Sequence, residues 1–203
     1  MEAVTAGNVA GVTHSATKAK LPGALKQVAG ASGNGLAMTG SGPIVVSSQT
    51  RFDLGFFTAE VSASISKIAG EQTLLSKGAG PANYLLHMSL SPAPGSVWFG
   101  QGSTGSIDGI AVDGKLVKPG AWQHWAGAWS ATGRTLYLDG KSVAADKSRL
   151  AATLQKDGAL AIGGGAEGSG KGAMTGGVDE VRVMSRPLQP DELLHYPPLT
   201  ASF

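Results

Sequence analysis

Acidic residues gather near the end of the chain, where adjacent carboxyl groups could act as a general acid and a general base. The segment GGVDEVRVMSRPLQPDEL, residues 176–193, holds four of the fourteen acidic residues, with Asp179 next to Glu180. Glycoside hydrolysis needs two carboxyl groups that flank one bond. Neighbouring side chains of a strand point to opposite faces, so this pair cannot converge if the segment is extended. The sequence therefore disfavours catalysis by this pair.

Other catalytic and metal-binding patterns are missing from the sequence. Four histidines stand alone at positions 14, 87, 124 and 195, without the close spacing of metal ligands. Cysteine is absent, which excludes disulfides and thiolate zinc sites. No serine lies in a G-x-S-x-G motif, and the run IGGGAEGSGKG lacks the spacing of a phosphate-binding loop. Nucleophilic and nucleotide chemistry therefore lack support.

The composition favours one β-rich domain. The chain has 203 residues, of which 31 are glycine and 10 are proline, and only 15% are charged. Such a chain is rich in turns and poor in long surface helices. The formal charge is +2, and no cluster of lysine and arginine is dense enough to follow a phosphate backbone, which argues against nucleic acid. No run approaches the roughly 18 apolar residues of a membrane span, so the sequence predicts no membrane segment within this chain. We also find no signal peptide at the N-terminus.

Alternating residues predict an antiparallel β-sandwich. FFTAEVSASIS, residues 56–66, alternates apolar and polar side chains as a half-buried strand does. Further short apolar runs are separated by Gly and Pro, and Asp139 with Gly140 fits a tight type I′ hairpin. PLQPDELL, residues 187–194, predicts one short helical turn near the C-terminus, with Pro190 at its first position. Residues 1–30 are interpreted as an N-terminal arm with short strands, one of them near 9–13, and residues 31–203 as the domain.

The order of these motifs resembles the laminin G-like domains of the concanavalin A-like jelly-roll superfamily, which includes pentraxin-related domains. The resemblance rests on FTAE, TLLSK, WQHWAGAW, LYLDGK, IGG and VDEVRVMSRPLQPDEL, in that order. It covers about residues 33–195 and implies an all-β fold of two antiparallel sheets. The leading segment with GNGLAMTGSGPIVVSS also resembles laminin G-like domains of bacterial envelope proteins. Those domains can precede a membrane part related to the MotA/TolQ/ExbB proton-channel proteins.

The resemblance gives Asp179 a separate role. In jelly-roll relatives an Asp in the last strand, in an Asp-x-Val-Arg setting, can hold a structural calcium ion together with backbone carbonyls from the N-terminal region. Calcium prefers such hard oxygen ligands. Alternatively, Asp179 accepts hydrogen bonds from turn amides or from Arg182 or Arg186. By alternation, Glu180 would share a face with Arg182 and form a weak ion pair. Glycosidases of this fold resemble one another in an E-x-D-x-x-E strand, which this sequence lacks.

Aromatic residues are the candidates for ligand binding, because a flat ring packs well against the C–H face of a sugar. In SVWFG, Val97 and Phe99 share one face of a strand, which leaves Trp98 on the other face. Trp98, with Tyr84 and His87, is the predicted ligand-binding group. Core packing remains the alternative for Trp98. It is expected for at least two of the three tryptophans in the WQHWAGAW motif, at positions 122, 125 and 129.

Three functional hypotheses follow from the sequence. The first is a non-catalytic recognition module that binds carbohydrate or protein on an exported or cell-envelope protein, placed in the periplasm or outside a bacterial cell. The second is an interaction or spacer domain of a MotA/TolQ/ExbB-like, membrane-anchored parent protein, without a small ligand. The third, a polysaccharide-cleaving enzyme, is disfavoured by the missing acids. A structural calcium ion is the one cofactor expected.

Overall fold

The fold is a sandwich of two antiparallel sheets. The computed structural model describes residues 19–20, 26–47, 52–68, 70–78, 84–89, 95–103, 106–147, 158–165 and 172–194. Fourteen strands in these residues form two sheets of seven, and every strand pair is antiparallel. The predicted all-β jelly roll is therefore confirmed.

The first sheet has the strand order β1-β4-β13-β6-β7-β8-β9. Its strands are β1 (Ala19–Lys20), β4 (Ile44–Val46), β6 (Glu71–Lys77), β7 (Tyr84–Ser89), β8 (Ser96–Ser103), β9 (Ser106–Asp113) and β13 (Leu160–Ile162). The second sheet has the order β12-β11-β10-β5-β14-β3-β2. Its strands are β2 (Gln27–Ala29), β3 (Asn34–Thr39), β5 (Phe57–Ile65), β10 (Trp122–Ser130), β11 (Gly133–Leu138), β12 (Lys141–Ala145) and β14 (Thr175–Met184).

Large aromatic rings fill the space between the sheets. Phe57 and Trp129 of the second sheet meet Phe99 of the first, with ring centroids 6.0 and 6.1 Å from Phe99. Edge-to-face contacts at this spacing stabilise a core beyond the area they bury. Glycine is required at position 127, because a Cβ there would lie 2.1 Å from the Phe99 ring. The core therefore fixes which face of β8 and β10 points inward.

The C-terminal segment covers the outer face of the second sheet. A 3₁₀ turn at Pro190–Glu192 confirms the predicted helical turn, and Leu188 and Leu193 beside it are buried. They pack on outer-facing residues such as Ala126 and Tyr137. Because of this cover, the polar side of β5 is buried too, with Thr58 and Glu60 at 0% exposure. The prediction of a half-buried strand was therefore wrong for β5, which is buried on both faces.

The tight turns follow the sequence rules. Asp139 and Gly140, between β11 and β12, have φ angles of 49° and 74°, which confirms the predicted hairpin turn. A second 3₁₀ turn, Gly114–Leu116, follows β9. The predicted strand near residues 9–13 lies outside the described residues. In the part of the chain that the structure describes, no helix is long and apolar enough to cross a membrane.

Candidate functional site

Trp98 lies on the outer face of the first sheet. Its neighbours Val97 and Phe99 have no exposed surface, whereas Trp98 itself is half-buried. The strand register places His87 of β7 and Ala111 of β9 directly across from Trp98. Ala111 is exposed, and its side chain is only a methyl group. The predicted orientation of Trp98 is confirmed.

The register separates the other two candidate ligand-binding residues. His87 is the cross-strand partner of Trp98, but Tyr84 pairs with Gln101. Gln101 is three residues from Trp98, an odd separation, so the two positions alternate between the faces of β8. The register therefore brings the His87 position, and not the Tyr84 position, beside Trp98. Whether either contacts a ligand stays a prediction.

The tryptophans of β10 divide between core and surface. Trp125 and Trp129 are each 1% exposed and belong to the core, which confirms the expectation of at least two packed rings. Trp122 is half-buried. It pairs with Ser64, whose neighbours Ala63 and Ile65 point into the core, so Trp122 lies on the outer face of the second sheet.

Asp179 is buried beneath the turn that joins β2 to β3. It is 7% exposed; its Oδ2 accepts a hydrogen bond from the Ser32 amide at 3.1 Å, and its Oδ1 accepts one from the Glu180 amide at 2.9 Å. Gly30 must be glycine here, because a Cβ would lie 2.3 Å from Oδ2. These contacts match the alternative in which Asp179 accepts hydrogen bonds from turn amides, with no arginine among them.

A β-bulge beside Asp179 overturns the alternation argument. Asp179 pairs with Ser62 and Arg182 pairs with Glu60. Between these two pairs, β14 contains one residue more than β5, which is a β-bulge. Glu180 takes a positive φ of 47° in the bulge. Burial raises the pKa of Glu180, and the nearby Asp179 carboxylate raises it further. The predicted pair of Glu180 with Arg182 was wrong, because the guanidinium of Arg182 binds Glu60 instead.

A buried polar network centred on Glu60 lies under the C-terminal segment. Glu60 Oε1 accepts a hydrogen bond from Arg182 Nε, and Oε2 accepts from His124 Nε2 at 3.0 Å and the Leu194 amide at 2.9 Å. Burial alone would raise the pKa of Glu60, but the bonds from His124 and Arg182 outweigh it and hold that pKa below its ordinary value. Glu60 is therefore a carboxylate, enclosed by the His124 ring and the Arg182 guanidinium.

The same segment is held at further points. Thr58 Oγ1 donates to the Arg186 carbonyl at 3.1 Å and accepts from the Leu188 amide at 2.8 Å. Arg186 binds both oxygens of Glu192, at 2.7 and 2.9 Å. These hydrogen bonds lower the pKa of Glu192 to about 2. Sequence reasoning missed this arrangement, although the polar residues on one side of β5 were its signal.

A third polar cluster joins the two sheets at one end. Arg134 of β11, 3% exposed, binds the Asp146 carboxylate through Nε at 2.9 Å. It also reaches β9, where Nη1 donates to the Asp108 carbonyl at 2.8 Å and Nη2 to the Asp108 carboxylate at 3.0 Å. Its guanidinium lies 4.9 Å from the centre of the Trp129 ring. One side chain therefore connects the edge of the first sheet to the second.

The family of the chain is decided by its sequence from β3 to the C-terminal turn. Residues 39–194 match the laminin G-type family model of the concanavalin A-like lectin/glucanases superfamily. The chain belongs to this superfamily. A comparison with curated proteins finds no match for this member.

Solved structures share the fold of this concanavalin A-like domain at low sequence identity. One is domain 4 of AbnA, a GH43 extracellular arabinanase from Geobacillus stearothermophilus, and this domain was solved in complex with arabinotriose. It is 16% identical to this chain, with a TM-score of 0.63, and the match covers 83% of this chain and 79% of that chain. The Ruminococcus gnavus IT-sialidase CBM40 bound to α2,3-sialyllactose is 16% identical, with a TM-score of 0.60 over 78% and 94%. The binding domain of botulinum neurotoxin DC in complex with rat synaptotagmin II is 10% identical, with a TM-score of 0.64 over 87% of this chain and 45% of that chain.

Most carboxylates in the described residues of this concanavalin A-like domain have structural partners. Glu60, Asp179 and Glu192 bind the groups named above, and Asp53 forms a buried ion pair with Lys77 at 2.9 Å. Within the described ranges, no three histidine or acidic side chains lie together as metal ligands. A calcium ion at Asp179 would therefore need backbone oxygens of the adjoining turn as its other ligands.

Proposed function

We propose that this domain is a non-catalytic recognition module that binds carbohydrate through the outer face of its first sheet. The observation that carries the proposal is the half-buried Trp98, which stands outside the core beside an exposed alanine. An indole outside the core can pack a ring face against the C–H side of a sugar, while polar neighbours take its hydroxyl groups. The solved structures with arabinotriose and sialyllactose support a sugar as the ligand.

Removing the indole tests this site. We expect Trp98→Ala to weaken binding of the best oligosaccharide about tenfold or more, which is about 1.4 kcal/mol. Trp98→Phe should retain part of the affinity, because a smaller flat ring remains. Isothermal titration calorimetry with arabinotriose and α2,3-sialyllactose measures the effect. Lys141→Ala, at an exposed position on β12 of the second sheet, is the control. Equal affinities for wild type and Trp98→Ala would overturn the assignment.

The carboxylates support a module without catalysis. Asp179 is buried with N–H donors on both oxygens, and Glu60 is enclosed by Arg182 and His124. Neither is placed to meet a glycosidic bond in solvent. We accordingly expect no hydrolysis of a polysaccharide that the domain binds. Extracytoplasmic placement in a bacterial envelope, with a membrane-anchored parent, belongs to the same proposal.

A protein ligand is the second candidate. Within the described strands β9 pairs only with β8. Apart from the Asp108 carbonyl, which accepts from Arg134, its outer edge could pair with an added strand. The binding domain of botulinum neurotoxin DC, of which this chain covers 45%, was solved in complex with a protein, rat synaptotagmin II. Sugar binding that depends on Trp98 would favour the first candidate over this one.

Calcium at Asp179 is a separate proposal with its own test. The carboxylate lies against Gly30 in the turn that joins β2 to β3, and the amide of Ser32 in that turn donates to it. A calcium concentration 100-fold above Kd should stabilise the domain by about 2.7 kcal/mol. Thermal unfolding with calcium, with magnesium and with a chelator measures this, and Asp179→Asn should lose the shift. An unchanged melting temperature in calcium would mean that Asp179 only holds turn amides.

A further inference from the structure

We propose that Asp113 is the hydroxyl acceptor of the Trp98 site and that it makes this site select a neutral sugar over an acidic one. This inference rests on the proposed function, because it adds a polar contact to the surface where Trp98 is proposed to meet a sugar. Asp113 is the last residue of β9, and Trp98 lies on the neighbouring strand β8.

The strand register places Asp113 on the same outer face as Trp98. Ile110 is buried and Val112 packs against the core, so both side chains point inward. Because side chains alternate along a strand, Ala111 and Asp113 lie on the outer face. Ala111 is directly across from Trp98, and Asp113 is two residues further along β9. Diagonal neighbours of this kind are about 7–8 Å apart. A sugar ring packed on the indole can therefore direct a hydroxyl group to Asp113.

The carboxylate of Asp113 is fixed through one oxygen and accessible through the other. Its Oδ1 accepts a hydrogen bond from the Lys115 amide at 2.8 Å and caps the 3₁₀ turn at Gly114–Leu116. Within the described part of the chain, the partner of Oδ2 is Lys115 Nζ at 3.8 Å, a separation longer than a hydrogen bond. The Asp113 side chain is 53% exposed, so a ligand can reach Oδ2 from solvent. The capping bond orients the carboxylate in advance, which lowers the entropic cost of binding.

A carboxylate oxygen is a suitable partner for a sugar hydroxyl. An ionised aspartate only accepts hydrogen bonds, and a hydroxyl group can donate one. Hydrogen bonds to a charged acceptor are shorter and stronger than those between neutral groups. Ser96, the cross-strand partner of Asp113, is two residues from Trp98 on β8 and adds a hydroxyl-bearing side chain at this end of the face. The surface therefore combines an aromatic ring with polar groups, as binding of a sugar requires.

The charges around the indole disfavour an acidic sugar. One row across the sheet has Asp113 on β9 at one end and the exposed Glu71 on β6 at the other. Lys115 lies beside Asp113, whereas Lys118 lies on the connection to β10, where the Gln123 side chain binds its amide. Among the described residues, this row therefore has two carboxylates and one adjacent ammonium group. A sugar carboxylate close to Asp113 Oδ2 would be repelled.

Selectivity between neutral and acidic sugars tests the role of Asp113. The neutral probes are arabinotriose, cellotriose and xylotriose, and the acidic probe is α2,3-sialyllactose. Calorimetric titration at about pH 8 keeps an ordinary histidine uncharged, which removes any contribution of charge from His87 beside Trp98. We expect the wild type to bind at least one neutral trisaccharide more tightly than sialyllactose.

Asp113→Ser removes Oδ2 but keeps a side-chain oxygen that can cap the turn. It should weaken binding of the preferred neutral trisaccharide about tenfold, because a hydrogen bond to a charged acceptor is lost. Asp113→Asn keeps the size of the side chain and removes its charge, so sialyllactose should gain affinity relative to the neutral sugar. Glu71→Gln is the matched control, since it removes a carboxylate of the same row on β6, two strands from β8. It should leave the affinity for the neutral trisaccharide unchanged.

The outcomes separate this inference from the proposed function. Loss of the neutral sugar in Trp98→Ala, with wild-type affinity in Asp113→Ser and wild-type selectivity in Asp113→Asn, would overturn the role of Asp113 and leave the Trp98 site intact. Wild-type affinity in both Trp98→Ala and Asp113→Ser would overturn the Trp98 site as well. A wild-type protein that prefers sialyllactose to every neutral probe would contradict this inference alone. Circular dichroism of each variant confirms that it is folded.

Discussion

Glu60→Ala is expected to destabilise the domain by about 3–5 kcal/mol, the usual effect of removing one partner of a buried ion pair. Glu60 has no exposed surface and accepts from Arg182, His124 and the Leu194 amide. Its removal leaves those donors without an acceptor beneath the C-terminal segment. That segment should then detach from the sheet, which amide hydrogen exchange at residues 185–194 would detect as faster exchange.

Low pH should also destabilise the wild-type domain, because it protonates Glu60. The pKa of Glu60 in the folded protein lies below its ordinary value of 4.5, so its contribution to stability is complete above that value. The contribution is lost as pH falls through the lowered pKa, because the unfolded chain binds the proton first. Glu60→Gln should therefore show a shallower loss of unfolding free energy below pH 4.5.

A matched control separates the buried network from the exposed pair. Arg186→Ala removes the partner of Glu192, which lies at the surface of the same segment. Its unfolding free energy should stay close to that of the wild type, since exposed ion pairs contribute little. Urea unfolding of the three proteins measures the differences. Equal stability of Glu60→Ala and Arg186→Ala would contradict the account.

Arg134→Ala is expected to cost about 2–4 kcal/mol, somewhat less than the loss at Glu60, because its partners can be hydrated after the substitution. The side chains of Asp108 and Asp146 are 70% and 28% exposed, whereas that of Arg134 is 4% exposed. The substitution removes the contacts to both aspartates and the contact with the Trp129 ring.

Lysine is the informative second variant at this position. Arg134→Lys keeps the charge but cannot bind Asp146 and Asp108 together through a planar fork. It should recover less than half of the loss. Thermal and urea unfolding give the energies, and hydrogen exchange in β9 should rise, because Arg134 connects that edge to the second sheet. An unchanged β9 would contradict the connecting role.

Local sequence signals predicted the elements whose geometry is set by neighbouring residues. The alternation in β5, the Asp139 turn and the Pro190 turn all follow from short-range rules. In contrast, β9 escaped prediction, because Asp108 and Gly109 interrupt its apolar pattern and both residues are depleted in strands. Strands could therefore be predicted from the sequence where apolar and polar side chains alternate without interruption.

The polar sites could not be read from local sequence. The cover over Glu60 comes from residues more than 120 positions later, as the Leu194 contact across 134 positions shows. The bulge at Glu180 shifts the faces of β14 by one residue, which no alternation rule includes. Likewise, the place of Trp122 depends on Gly35 and Gly177, which lie on strands distant in sequence. Long-range packing, not residue type, decided these features.

A glycan array probed with the wild-type domain and with Trp98→Ala tests the central claim most directly. The account predicts that the wild type binds a defined set of glycans and that Trp98→Ala, folded as judged by circular dichroism, loses that set. Binding should not require any cleavage of the glycans. A wild-type protein that binds no glycan, with and without calcium, would contradict the account and leave a protein-interaction domain in its place.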